Sequence, residues 1–338
     1  MLLLVGGSHL QRAAFAVHFR LTNISATSPF QQPDTGPHMI RTDHHGIFAA
    51  TLTPFRADGT VAIEQVPALV EYYRDQKLDG LYVNGSTGEG PSLTTQERRQ
   101  LAEAFVAAGR GKMTIVIQVG HNSVVTAREL AAHAESIGAD AISAKPPSYF
   151  RIDSPSTLVE SSAYVAAGAP KTPFYYYHIP QLTGAVFPMG EYLALAESQI
   201  PNLAGMKFTS QELDEFQVCL DWQQGQGTFF WGVDEALLSA VAVGARGAIG
   251  STYNVAAGVF RGVMDAFVRG DVERARRLQL QGIRIVRTLI ARPFAAALKA
   301  VVTRAGVPMG GVRLPHRGLS GPETEQFLAE FDEAMSEN

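Results

Sequence analysis

The stretch LAGMKFTS, residues 203–210, is almost continuously apolar and is short enough to be one strand buried on both faces. Seven runs of the same kind precede or follow it: GIFAATLTPF (46–55), GLYVNGS (80–86), TIVIQVG (114–120), AISAKPP (141–147), PFYYYHIP (173–180), TFFWGVD (228–234) and GAIGSTYN (247–254). Segments with apolar residues at helical spacing separate the runs. Eight strands alternating with helices predict an α/β fold, the (β/α)8 TIM barrel. An open dinucleotide-binding sheet is disfavoured, because TPFRADG replaces G-x-G-x-x-G after the first strand.

The chain is predicted to have three parts. Residues 1–45 form a leader, residues 46–262 the barrel, and residues 263–338 a helical extension packed on the barrel. Residues 25–37 are rich in proline, glutamine, serine and threonine, which predicts disorder. Two interpretations of the leader stay open. Met39 could be the natural start of the protein, or the leader could be a functional tail.

The composition excludes several classes of function. Lysine and arginine number 28 against 32 acidic residues, a formal net charge of −4, so there is no basic surface typical of nucleic-acid binding. Cys219 is the only cysteine, which excludes an intramolecular disulfide and fits a reducing compartment. The apolar runs are far shorter than the ~20 residues that span a bilayer. We expect a soluble, cytoplasmic protein with neither nucleic-acid nor membrane partners.

Lys207 lies inside the predicted sixth strand, where an unpaired ammonium ion would be costly. Strands five and six should be neighbours, ~4.8 Å apart, which places Lys207 beside Tyr177 at the end of the fifth strand. A buried amine next to a phenol suits Schiff-base chemistry, because burial favours the neutral, nucleophilic amine and the phenol can transfer protons. The alternative interpretation is a lysine that extends to the barrel rim.

The neighbours of Tyr177 are predicted to be structural. Side chains alternate along a strand, so Tyr175 and Tyr177 should share one face while Tyr176 takes the other. His178 then points away from Tyr177, and we interpret it as a core residue. Lys145 also lies near a strand end, but the two prolines that follow it should turn the chain outward.

The second strand ends in NGSTGEG, in which three glycines permit a tight turn with exposed backbone N–H groups. Together with the hydroxyl groups of Ser86 and Thr87, these N–H groups would bind a small anion, either a carboxylate or a phosphate. The loop lacks the G-K-[ST] of a nucleotide-binding loop. An ordinary turn between a strand and a helix is the alternative.

Strands seven and eight end in polar residues. Asp234 and Glu235 are adjacent at the end of strand seven, and Ser251 follows strand eight. Ionised carboxylates only accept hydrogen bonds, so this pair suits recognition of substrate hydroxyl groups. The pair could instead cap the helix that begins EALLSA.

These motifs together resemble the family of class I aldolases that contains N-acetylneuraminate lyases and dihydrodipicolinate synthases. The resemblance extends from about Gly46 to the C-terminal helices. GSTGE (85–89) and the lysine in GMKFT (205–209) are marks of the whole family. Three further blocks resemble the lyases more specifically: YYYHIPQLTG (175–184), WGVDEALLSA (231–240) and GAIGSTYN (247–254).

The resemblance implies a role for each site residue. Ser86 and Thr87 match the residues that hold the carboxylate of a 2-oxo acid, Lys207 the Schiff-base lysine, and Tyr177 the proton-transferring tyrosine. The positions that contact the hydroxyl chain of the sugar in the lyases match Thr209, Gly232, Asp234, Glu235 and Ser251.

Two positions near the predicted site need separate comment. The family often has a further tyrosine in a PYY-like segment after strand four, which here reads PPSYF (146–150). We predict that Tyr149 takes part in proton relay, with Phe150 as the alternative occupant of that position. Leu182 stands where the synthases have an arginine that holds a dicarboxylic substrate, which argues against the synthase reaction.

The activity implied by the resemblance is reversible cleavage of N-acetylneuraminate to pyruvate and N-acetylmannosamine by a homotetramer, without metal or organic cofactor. Within the same chemistry, the alternative is a related pyruvate-dependent aldolase, hydratase-aldolase or synthase-like enzyme that uses another aldehyde. A non-catalytic barrel that binds a sugar acid is the alternative from a different class. The retention of both Lys207 and Tyr177 argues against it.

Overall fold

A computed structural model describes residue 42 and residues 44–336 of the chain. Eight strands form a closed parallel barrel in which each strand pairs with its sequence neighbours and the first also pairs with the eighth. The strands are β1 Gly46–Ala50, β2 Gly80–Val83, β3 Thr114–Gln118, β4 Ala141–Ala144, β5 Phe174–His178, β6 Leu203–Phe208, β7 Thr228–Trp231 and β8 Gly247–Gly250. The predicted TIM barrel is confirmed.

Helices surround the barrel and continue beyond its last strand. Those within the barrel repeat are α1 Val66–Asp75, α2 Thr95–Gly109, α3 Val124–Ser136, α4 Pro155–Ala166, α5 Pro180–Thr183, α6 Met189–Ala196, α7 Leu213–Leu220 and α8 Leu237–Ala242. Those after β8 are α9 Tyr253–Val268, α10 Val272–Ile290, α11 Phe294–Arg304 and α12 Gly321–Met335. Among the described residues, no helix is both long and apolar enough to cross a bilayer.

The C-terminal helices confirm that the barrel carries a helical extension. The leader predicted for residues 1–45 lies outside the described residues, except for Thr42, His44 and His45. The boundaries predicted after residues 45 and 262 stay predictions.

Tyrosine side chains of β5 alternate between two apolar layers, as predicted. Tyr175 and Tyr177 belong to the cluster inside the barrel. Tyr176 belongs to the layer between strands and helices, where its ring packs 4.4 Å, centroid to centroid, from that of Tyr192 on α6. At the N-terminal end of the barrel, the Tyr175 hydroxyl lies 2.6 Å from Thr42 Oγ1. Tyr175 therefore fills the barrel floor, and Tyr177 lies closer to the mouth.

The pairing of β5 with β6 contains a one-residue shift. Phe174 is opposite Leu203, whereas the next residue of β5, Tyr175, is opposite Gly205. Ala204 is therefore an extra residue in β6, which is the definition of a β-bulge.

This bulge decides which residue of β6 lies opposite Tyr177. With the shift that residue is Lys207; without it, the register set by the first pair of the two strands would place Met206 there. Met206 packs in the layer between barrel and helices. Because successive side chains point to opposite faces, the bulge brings Lys207 rather than Met206 to the face shared with Tyr177.

A side chain at Gly205 should disrupt the bulge. In Gly205→Ala the new Cβ would lie 1.8 Å from the Thr228 carbonyl oxygen, at a φ of +146° that only glycine adopts readily. We expect the free energy of unfolding, measured by urea denaturation, to fall by about 2–4 kcal/mol. The control is Gly258→Ala on the exposed side of α9, where a Cβ meets nothing within 4 Å. That variant should be neutral or stabilised by about 0.5–1 kcal/mol, and equal losses in both variants would contradict this role for Gly205.

Candidate active site

A cavity of about 330 Å³ lies at the C-terminal ends of the strands. It brings together every site residue predicted from the sequence except Tyr149. Its lining includes Ser86, Thr87, Tyr177, Lys207, Thr209, Gly232, Asp234, Glu235 and Ser251. The mouth of a TIM barrel is where the chemistry of this fold takes place, so we treat this cavity as the candidate active site.

The amine of Lys207 lies between two aromatic rings. Its Nζ atom is 4.3 Å from the ring centroid of Tyr177 and 4.5 Å from that of Tyr82. The residue is only 5% exposed, and no carboxylate among the described residues forms an ion pair with it. The amine is therefore positioned by ring faces and is not engaged by an acid, which leaves it available to a carbonyl carbon in the cavity.

Tyr82 is a site residue that the sequence analysis missed. It lies on β2 and is fully buried, and its ring packs edge to face against that of Tyr177, with the two centroids 5.7 Å apart. Its hydroxyl donates to Ser143 Oγ at 3.0 Å. Burial raises the pKa of Tyr82 well above the usual range, so its phenol stays neutral. Its place in the second strand could have identified it, because an inward-pointing residue of that strand lies inside the barrel, as Lys207 does.

In the loop after β2, residues other than glycine also adopt left-handed backbone conformations. The left-handed residues are Asn84, with φ +62°, and Glu89, with φ +56°. The glycine at position 90 is required by close approach instead, because a Cβ there would lie 2.1 Å from the Asn84 carbonyl oxygen. Thr87 Oγ1 lies 2.6 Å from Ser251 Oγ, which ties this loop to the one after β8.

A buried ion pair anchors the same loop to the C-terminal extension. The Nζ of Lys299, on α11, donates to Glu89 Oε1 at 2.7 Å, and both side chains are essentially inaccessible to solvent. The backbone N–H of Arg313 donates to Glu89 Oε2 at 2.8 Å. Burial lowers the pKa of Lys299, and the Glu89 carboxylate opposes that change. The sequence analysis did not predict this anchor.

The side of the cavity formed by β6 and β7 presents unpaired oxygen atoms. Asp234 Oδ2 accepts a hydrogen bond from the Thr252 N–H at 2.8 Å, while Asp234 Oδ1 and Thr209 Oγ1 are buried and have no partner among the described residues. Gly232 leaves room for Thr209, since a Cβ would lie 2.0 Å from Thr209 Oγ1. Burial raises the pKa of Asp234. Asp234 makes no helix-capping hydrogen bond; its part in the recognition of substrate hydroxyl groups stays a prediction.

The C-terminal extension supplies the outer wall of the cavity, which the sequence analysis did not predict. Val286 and Ile290 come from α10, Phe294 and Ala295 from α11, and His316 from the segment before α12. No local pattern marks these residues as site residues, because their position depends on how the extension packs across the barrel mouth.

The remaining predicted residues lie elsewhere. Tyr149 is 80% exposed and packs against Phe150, so the structure does not bring it to the cavity; its part in proton relay stays a prediction. His178 is buried beside the ring of Phe208, and burial lowers its pKa to about 4. The interpretation of His178 as a core residue agrees with this position.

A TIM barrel with a buried lysine beside a tyrosine at its mouth has the architecture of a class I aldolase. Residues 43–334 match the Dihydrodipicolinate synthetase family, and the chain belongs to that family. It is 40% identical over 289 residues to the N-acetylneuraminate lyase of Gallus gallus, which covers 84% of this chain and 92% of that protein. With the lyase of Homo sapiens it shares 39% over 291 residues, 85% of this chain and 91% of that one.

Solved structures give the same result. The N-acetylneuraminate lyase of Proteus mirabilis superposes with a TM-score of 0.84 at 35% identity and covers 87% of this chain and 99% of its own. The lyase from Aliivibrio salmonicida, also called sialic acid aldolase, gives a TM-score of 0.84 at 36% identity, with 87% and 98% covered.

The buried anchor of the loop can be tested by removing its cation. Lys299→Met keeps the apolar stem but leaves the buried Glu89 carboxylate without its ion-pair partner, and we expect the free energy of unfolding to fall by about 3–5 kcal/mol in urea denaturation. The same change at Lys112, whose exposed pair with Glu71 is 2.9 Å long, should cost less than about 1 kcal/mol. Adding Glu89→Gln to Lys299→Met should restore part of the loss. Equal effects of the two lysine variants would contradict the anchor.

Proposed function

We propose that this protein is a Schiff-base aldolase that cleaves N-acetylneuraminate reversibly to pyruvate and N-acetylmannosamine. The observation that carries the proposal is the pairing of Lys207 with Tyr177 on adjacent strands, inside a cavity with polar groups on both sides. The similarity of the whole family domain to N-acetylneuraminate lyases supports the same activity.

In the first step, Lys207 Nζ attacks the C2 ketone of the open-chain sugar acid. Loss of water leaves an iminium ion, which accepts the electron pair of the C3–C4 bond when that bond breaks. Tyr177 takes the proton of the C4 hydroxyl group, so that the aldehyde product can leave, and then returns a proton to C3 of the enamine. Hydrolysis of the resulting pyruvate iminium regenerates Lys207.

The loop after β2 holds the substrate carboxylate in this scheme. Ser86 and Thr87 present hydroxyl groups to the cavity. The link from Thr87 to Ser251, together with the anchor through Glu89, holds the loop in one position relative to Lys207. A loop that is held in place before the substrate binds favours the reaction, because the bound carboxylate then directs the neighbouring ketone at the amine.

The opposite side of the cavity suits a polyhydroxylated substrate. The unpaired oxygens of Thr209 and Asp234 can accept hydrogen bonds from substrate hydroxyl groups, and Glu235 lines the same region. Leu182, also on the lining, provides no cation for a second carboxylate. A sugar acid with one carboxylate therefore fits better than the dicarboxylic substrate of a synthase.

We further propose that the protein works as a homotetramer in the cytoplasm, as its resemblance to the family implies. Light scattering coupled to size-exclusion chromatography tests the assembly directly. A monomer or dimer at assay concentration would contradict it.

Trapping with borohydride tests the proposed nucleophile. Reduction in the presence of pyruvate should give a covalent adduct on wild type, which mass spectrometry of peptides locates at Lys207. Lys207→Ala should give no adduct and no release of pyruvate from N-acetylneuraminate in a coupled assay. Lys171→Ala removes an exposed lysine before β5 and should retain both. An adduct that survives in Lys207→Ala would rule out the mechanism, and pyruvate release only from other 2-oxo acids would rule out the substrate.

Loss of one hydroxyl group separates proton transfer from Schiff-base formation. Tyr177→Phe should still be trapped with pyruvate, but kcat for cleavage should fall by about 10²–10⁴-fold because the proton donor and acceptor is gone. Tyr175→Phe is the matched control on the same face of β5, since its hydroxyl lies at the barrel floor beside Thr42. It should keep turnover close to that of wild type. Full activity in Tyr177→Phe would remove the role assigned to it.

A further inference from the structure

Gln279 is a polar residue on the buried face of α10, the helix that also contributes Val286 and Ile290 to the wall of the catalytic cavity. Only 7% of Gln279 is exposed, and its neighbours at helical spacing on that face are Gly282 and Val286. A buried amide is costly unless its donor and its acceptor are hydrogen-bonded. Its partners therefore explain why a glutamine stands at this position.

Both polar atoms of the Gln279 side chain bond to the segment that follows β7. Oε1 accepts a hydrogen bond from the Leu238 N–H at 2.8 Å, and Nε2 donates to the Asp234 carbonyl oxygen at 3.2 Å. An N–H only donates and a carbonyl oxygen only accepts, so these two partners allow the amide a single orientation. Gln279 thus joins the helical extension to the barrel at the turn that carries Asp234.

The segment after β7 has no side-chain cap of its own. Residues Asp234–Ala236 form a single 3₁₀ turn, and α8 begins directly after it at Leu237. The N-cap residue of neither element makes a side-chain hydrogen bond. Because the first N–H groups of a helix lack partners within the helix, the N–H of Leu238 depends on Gln279 for its partner.

A second contact fixes the side chain of Asp234. Its Oδ2 accepts a hydrogen bond from the Thr252 N–H, in the loop after β8, at 2.8 Å. Gly250 permits the close approach of the two segments, because a Cβ there would lie 1.8 Å from Asp234 Oδ1. Gln279 holds the backbone of Asp234 and Thr252 holds its carboxyl group, so the two contacts together set the position of that group in the cavity.

We propose that Gln279 is a positioning residue for the recognition of the hydroxyl chain of the substrate, an inference that rests on the proposed function. Gln279 is not among the residues that line the catalytic cavity, so it acts on the substrate through the turn that carries Asp234 and Glu235. Without the amide, that turn loses its tie to α10, and displacement of the two carboxyl groups weakens the hydrogen bonds that they accept. Pyruvate binding depends instead on Lys207 and the loop after β2.

Gln281 provides a matched control on the same helix. It is 6% exposed, and its Nε2 donates to the Met335 carbonyl oxygen, at the end of α12, at 2.7 Å. This hydrogen bond joins two helices of the extension and does not involve the turn after β7. Replacement of either glutamine by methionine removes buried hydrogen bonding at similar side-chain length, so both changes should lower the urea midpoint of unfolding. Only the change at Gln279 should affect substrate binding.

Steady-state kinetics with N-acetylneuraminate, in the coupled assay for pyruvate, tests this role. In Gln279→Met we expect KM to rise about tenfold and kcat to change by less than about threefold, because the weakened contacts bind substrate and transition state alike. The pyruvate concentration that half-saturates borohydride trapping should stay that of wild type, since pyruvate has no hydroxyl chain. Gln281→Met should keep the KM of wild type. Gln279→Asn, whose amide is one methylene too short to reach both partners, is a milder variant and should also raise KM.

Three results would overturn the role of Gln279: an unchanged KM in both of its variants, an equal rise of KM in Gln281→Met, or an equal loss of affinity for pyruvate in the trapping assay. Failure of the proposed function is distinguishable from these, because wild type itself would then release no pyruvate from N-acetylneuraminate, and the role of Gln279 would fall with it. Turnover by wild type together with an unchanged KM in the Gln279 variants would overturn the positioning role alone.

Discussion

The register between β5 and β6 is the constraint on which the candidate active site depends. One extra residue, Ala204, brings the amine of Lys207 and the phenol of Tyr177 to the same face of neighbouring strands. Parallel strands buried on both faces cannot slide past one another without unpacking the core on either side. The distance between the Lys207 amine and the Tyr177 phenol is thus set by the barrel itself, and loop movements at the mouth leave it unchanged.

Polar groups around the barrel mouth differ in how completely they are paired. The Glu89 carboxylate is buried but receives hydrogen bonds on both oxygens, so it can hold the loop after β2 rigidly. Asp234 Oδ1 and Thr209 Oγ1 are buried without partners among the described residues. Leaving such atoms unpaired is costly, and a substrate hydroxyl that hydrogen-bonds to them offsets that cost.

Periodicity predicted the parts of this site that lie on strands. The order of the strands predicted that Tyr177 and Lys207 lie on neighbouring strands. The residue directly opposite Tyr177 depends on the bulge at Ala204, which the sequence analysis did not predict. The pair of Glu89 with Lys299 spans 210 residues of sequence and leaves no local trace. Tyr149 shows the other limit: it follows a correctly predicted strand, but the path of its loop decides where the phenol lies.

A neighbouring cavity of about 270 Å³, at the ends of β2, β3 and β4, differs from the catalytic cavity in the charged side chains that line it. The catalytic cavity combines Lys207 with the carboxyl groups of Asp234 and Glu235, which suits one carboxylate joined to a chain of hydroxyl groups. The neighbouring cavity is lined by Arg98 and Lys145, and its lining contains no acidic residue. Only Ser86 presents a hydroxyl group to both. Ser86 belongs to the loop after β2, so this loop forms part of the wall of both cavities.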